Sequence, residues 1–127
     1  MQAPRRPVLA ALCAVALAAG GCGGGGSADA PGEDVYRQYA CSSCHSLDGG
    51  DGTGPTFKGL AGSTVTLTDG SQVPADAAYL ERAIVDPDAQ VVKGYGAGLM
   101  TASTDGFDLE RKPEDVRRLV RFIQGVK

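Results

Sequence analysis

Tyr39-Ala40-Cys41-Ser42-Ser43-Cys44-His45-Ser46-Leu47-Asp48-Gly49-Gly50 is the stretch on which the reading of the whole chain turns. Two cysteines stand three positions apart, and His45, the only histidine among 127 residues, follows the second directly. What such a triplet does depends on compartment and on what other ligands the chain can offer, so the rest of the sequence has to be read outward from it.

The N-terminus supplies the compartment. Arg5 and Arg6 precede an unbroken apolar run from Val8 to Ala19, 12 residues long. As a helix that run reaches about 18 Å, too short for a bilayer core of roughly 30 Å. Small residues Ala19, Gly20 and Gly21 follow, the pattern of a cleaved export signal over residues 1–21. Cys22 comes next, and a cysteine directly behind this stretch resembles a bacterial lipoprotein cleavage site, where it becomes the new N-terminus and carries lipid. Lipidation also disposes of what would otherwise be a lone exposed thiol in an exported protein. The Gly/Ser/Ala/Pro run up to Gly32 then reads as a flexible tether, with the folded domain occupying 33–127.

With Cys13 in the discarded signal and Cys22 at the lipid site, two of the four cysteines remain: Cys41 and Cys44. Removing Arg5 and Arg6 from the 12 basic residues leaves 10 against 15 acidic ones, a formal net charge of −5. An acidic domain argues against nucleic acid as a partner.

Three chemistries now compete for the triplet. A thioredoxin-like redox pair requires a βαβ setting that the flanking residues do not suggest. A structural zinc requires four ligands, and no further His or Cys exists in the mature chain to complete them. Covalent haem satisfies every constraint: each thiol can add to a vinyl group, and the adjacent imidazole is placed to ligate iron. One haem c would also supply the apolar mass that a domain this small lacks.

The remaining pattern is mostly helical. Val35, Tyr36, Tyr39 and Ala40 follow helical spacing just before the cysteines, and Ser46 to Leu60 is a loop with Gly54-Pro55 its stiffest point. Val65 and Leu67 alternate with threonines before an Asp69-Gly70 turn, a short hairpin signal. Asp76 is a candidate N-cap for a helix whose apolar stripe is Leu80, Ala83 and Ile84 and which Pro87 ends. Residues 91–107 read as irregular and glycine-rich. Pro113 opens the last helix, with Val116, Leu119, Val120 and Ile123 inward and Arg117, Arg118 and Arg121 on a solvated opposite face. The expected fold is therefore all-α: three main helices around a haem, with a hairpin inserted.

A second axial ligand cannot be histidine. Met100, the one methionine of the mature part, lies 55 residues beyond His45 in the glycine-rich segment, where a loop could carry a thioether to the opposite haem face. Lys93, Tyr95 or an open position are the alternatives.

Taken together, YACSSCHSLDGGDGTGPTFKGL, the hairpin, IVDPDAQVVKGY and GLM resemble a class I cytochrome c over essentially all of 33–127. They are especially similar to the haem domain fused to subunit II of some haem–copper oxidases. The resemblance implies a small cytochrome c fold with crossed terminal helices, haem thioethers at Cys41 and Cys44, and His45/Met100 ligation. It also implies a hydrogen bond from the His45 ring to the Pro55 carbonyl. The implied activity is one-electron transfer, not catalysis, between a quinol-oxidising complex and a terminal oxidase, by a lipid-anchored protein on the outer face of the cytoplasmic membrane. A haem sensor or small-ligand-binding protein with a labile sixth position is the alternative. The family usually has proline directly after the ligand methionine; Thr101 stands there here.

Overall fold

The computed structural model describes residues 31–127; the stretch read as an export signal, Cys22 read as a lipid site and most of the expected tether lie outside the described residues. The described residues form four α-helices: α1 (Gly32–Gln38), α2 (Ala77–Val85), α3 (Leu99–Phe107) and α4 (Pro113–Gly125). Strands β1 (Thr64–Thr66) and β2 (Gln72–Pro74) form one antiparallel hairpin, with Val65 opposite Val73. The fold is thus mostly helical with a small two-stranded sheet. Among the described residues, no helix is long and apolar enough to cross a membrane.

Helices α1 and α4 cross and share the centre of the core, where Val35, Val116 and Leu119 are fully buried. Their approach depends on Gly32. A Cβ there would lie 2.5 Å from Phe122 Cβ and collide with the Arg118 carbonyl oxygen. Glu33 and Asp34 occupy the first turn of α1 and Arg37 its last, each at the end favoured by the helix dipole. In α4, Pro113 takes the first turn, where its missing N–H costs nothing, and the stripe Val116, Leu119, Val120 and Ile123 is buried as its spacing requires.

Arg118 departs from the sequence reading. It is 9% exposed, not solvated, and its guanidinium donates to Asp115 Oδ1 at 2.9 Å. The other oxygen of Asp115 accepts from the Tyr39 phenol at 2.5 Å. Arg118 sits between the buried Val116 and Leu119 positions, at the flank that α1 approaches through Gly32, so the crossing covers what spacing alone assigns to solvent.

The hairpin and α2 follow their signals. Gly70 has φ +85°, and Asp69 accepts from the Ser71 backbone N–H at 2.9 Å. Val65 and Leu67 turn inward. The Asp76 side chain caps α2 by accepting from the Tyr79 N–H at 2.8 Å. A 3-10 turn, Pro87–Gln90, follows α2. It is tied to the hairpin through the Leu67–Val92 bridge and through bonds from Thr68 N to Val91 O and Lys93 N to Thr66 O, both 2.9 Å.

Helix α3 lies in the segment read as irregular. Its sequence, LMTASTDGF, is rich in residues of poor helix propensity and has no apolar stripe. Yet Met100, Ser103, Thr104 and Phe107 fall at helical spacing and all line one cavity. The periodicity is present, but polar and small residues carry half of it.

Candidate functional site

The backbone that presents the cysteines is set by a single turn. Helix α1 ends at Gln38, and Ala40 then adopts φ +51°, ψ 27°, a left-handed conformation that a residue with a Cβ enters only at a cost of about 1–2 kcal/mol. This reversal starts the 3-10 turn Cys41–Ser43, in which the N–H groups of Cys44 and His45 both bond to the Cys41 carbonyl, at 3.2 and 2.9 Å. Both cysteines are half-buried, and they are not joined to each other in a disulfide. Burial pushes the Cys41 thiol up from its ordinary value, and Cys44 adds to the effect.

His45 is 9% exposed and fixed from several sides. Its Nδ1 lies 2.7 Å from the Pro55 carbonyl, which can only accept, so Nδ1 carries the proton and Nε2 keeps its lone pair. Its ring stacks on Phe57, centroids 4.6 Å apart and planes inclined by 18°. Gly54 presses against it so closely that an added Cβ would come within 2.5 Å of Cε1 and 2.9 Å of each ring nitrogen. Its backbone carbonyl accepts from the buried Tyr36 phenol at 2.5 Å. Burial lowers the His45 pKa, with the Pro55 bond opposing it, which favours the neutral, ligating form.

Cys41, Cys44, His45, Pro55 and Met100 all line one apolar cavity. The other walls come from α2 (Leu80, Ile84), α3 (Thr104, Phe107) and α4 (Leu119, Ile123). Met100, half-buried, enters from the first turn of α3. Of the alternatives, Lys93 is exposed and does not line the cavity. Tyr95 does line it, and burial, with the nearby Asp51 carboxylate adding to the effect, raises its phenol pKa.

The sequence reading did not find Phe57 as the stacking partner, Gly54 as the backstop, or Tyr36 as a donor to the His45 carbonyl. Phe57 and Gly54 flank Pro55 in the loop already marked as stiff, so position was the available signal. Tyr36 reads only as an apolar helix position.

The donor set can be tested against candidate groups. Among the described residues, no group of three or more His, Cys, Asp and Glu side chains is arranged to hold a metal ion. Two thiols, an imidazole oriented through its second nitrogen and a thioether on the walls of one apolar cavity instead suit a flat apolar macrocycle bearing a central transition metal.

The comparisons agree with this chemistry. The family model for Cytochrome c matches residues 30–127. The cytochrome c2 iso-1 of Magnetospirillum fulvum is 31% identical over 110 residues, which covers 79% of this chain and all of that protein.

Proposed function

Since the chain belongs to the cytochrome c family, whose members bind one covalent c-type haem, we propose that it is a single-electron carrier with Cys41 and Cys44 as thioether positions and His45 and Met100 as axial ligands. The observation that carries this reading is the convergence of all four residues on one apolar cavity, with the His45 ring oriented by Pro55.

The bound haem supplies one-electron Fe(II)/Fe(III) chemistry, for which methionine as a soft ligand favours the reduced state relative to a second histidine. The chain's own residues do the rest. Pro55 fixes the tautomer and direction of the imidazole, and Phe57 and Gly54 prevent ring rotation. Leu80, Ile84, Leu119 and Ile123 exclude water from the cavity, and α3 brings the thioether from the far side of the sequence. A site whose ligands are held in place needs little reorganisation when charge changes by one.

The cellular setting completes the proposal. An export signal and lipid at Cys22 would hold the protein at the outer face of the cytoplasmic membrane. The tether would raise its effective concentration near membrane partners. The likeness to the haem domain of oxidase subunit II favours a terminal oxidase as acceptor and a quinol-oxidising complex as donor.

The test is the visible spectrum of protein matured in an exporting host, before and after carbon monoxide. Haem absorbance that survives denaturation, with only weak binding of carbon monoxide by the reduced protein, is the expected result. Loss of haem on denaturation would refute thioether attachment. Rapid, complete binding of carbon monoxide would refute firm Met100 ligation and favour the sensor reading.

A further inference from the structure

The two axial residues are held very unequally. His45 has a ring hydrogen bond, a stacking partner, a backstop and a donor on its carbonyl. Met100 sits in the first turn of a nine-residue helix made of poor helix formers, reached through Gly94, Gly96 and Gly98. Gly98 is the N-cap of α3, with φ +83°, and offers no side chain to cap it. Nor does Thr101, which stands directly after Met100, tie the segment down: its Oγ1 is buried with no hydrogen-bond partner.

Among the described residues, a bond from another element reaches the start of this segment. The Gly98 N–H donates to Asp88 Oδ1 at 2.8 Å, across ten residues of sequence. Asp88 belongs to the 3-10 turn Pro87–Gln90, where Pro87 fixes the backbone and the Ala89 N–H bonds back to the Asp86 carbonyl at 3.1 Å. That turn is anchored in turn to the hairpin through Val91 and Val92. The arrangement repeats the logic of a capping box, in which an acidic side chain satisfies the N–H of the N-cap residue, except that the acid comes from outside the helix. Its negative charge also lies at the positive end of the α3 dipole.

We infer that Asp88 is a positioning residue for the sixth ligand: by holding the Gly98 N–H it fixes the start of α3 and so keeps the Met100 thioether over the cavity. This rests on the proposed ligation by Met100. It assigns to a side chain in a neighbouring turn the stiffening that the family pattern obtains from a proline after the methionine.

The test uses matured full-length protein carrying Asp88→Ala, Asp88→Asn or Met100→Ala beside the natural chain. Carbon monoxide affinity of the reduced form, the near-infrared band of thioether-bound ferric iron and the thermal midpoint are measured on each. Loss of a charge-assisted bond at a helix start should raise the methionine-off population, and with it the apparent carbon monoxide affinity, by about fivefold to tenfold in Asp88→Ala. Asparagine retains a carbonyl acceptor, so Asp88→Asn should stay within about twofold of the natural protein. Met100→Ala should lose the band and bind most tightly. Unchanged affinity in Asp88→Ala, while Met100→Ala still differs from the natural protein, would overturn the role of Asp88 alone. So would a lower thermal midpoint without any change in affinity. If the natural protein and Met100→Ala bind carbon monoxide alike and neither shows the band, Met100 ligation itself fails and the inference falls with it.

Discussion

Gly54→Ala adds one methyl group, and the structure says where it goes. The new Cβ would stand 2.5 Å from His45 Cε1 and 2.9 Å from both ring nitrogens, whereas carbon atoms pack at about 3.5–4.0 Å. Gly54 does not occupy the left-handed region, so the effect is steric and not conformational. The imidazole must therefore retreat by about 1 Å, or the loop must. A shift of that size stretches the 2.7 Å bond to the Pro55 carbonyl past useful length and disturbs the stack on Phe57. Overpacking costs about 1–3 kcal/mol and the lost bond about 1 kcal/mol more, giving about 2–4 kcal/mol together. With a urea slope of roughly 2 kcal/mol per molar, the unfolding midpoint of the matured protein should fall by about 1–2 M. The assay is urea unfolding followed by haem absorbance and far-UV circular dichroism, with carbon monoxide binding measured below the transition. A midpoint shifted by less than about 0.3 M, with the His45 ring environment unchanged by NMR, would refute the claim that Gly54 is the backstop of the ligand ring.

Two further outcomes are expected. Gly106→Ala, in α3, meets no atom within 4 Å and needs no positive φ, so it should stabilise the protein by about 0.5–1 kcal/mol, readable as a raised thermal midpoint. The Tyr39 phenol, buried and bonded to Asp115, has its pKa pushed up to about 12 from 10.0. Because the folded state holds that proton more tightly than the unfolded chain does, its contribution is complete below pH 10 and is lost as pH rises toward 12. Burial also raises Tyr36 and Tyr79, so the readout is the difference in alkaline unfolding between the natural protein and Tyr39→Phe, which should narrow across that window.

The parts of this molecule that obey one simple rule were legible before any coordinates. The stripe of α4, the Asp76 cap and the Asp69-Gly70 turn each follow from local pattern. Legibility failed where the determining contact comes from elsewhere in the chain. Arg118 is buried because a distant glycine admits α1. Helix α3 turns Met100, Ser103, Thr104 and Phe107 toward one cavity, and with half of that face polar no hydrophobic periodicity reports it. The site was legible to a similar depth. Cys41, Cys44, His45 and Met100 could be named as candidates, while Gly54, Phe57 and Tyr36, which hold the imidazole, are defined by proximity alone.

The crossing of α1 and α4 joins the first folded element to the last. Until that crossing forms, the wall supplied by Leu119 and Ile123 does not cover the cavity that Cys41 and Cys44 line. Enclosure of the two side chains is thus a property of the assembled domain and of neither end of it alone.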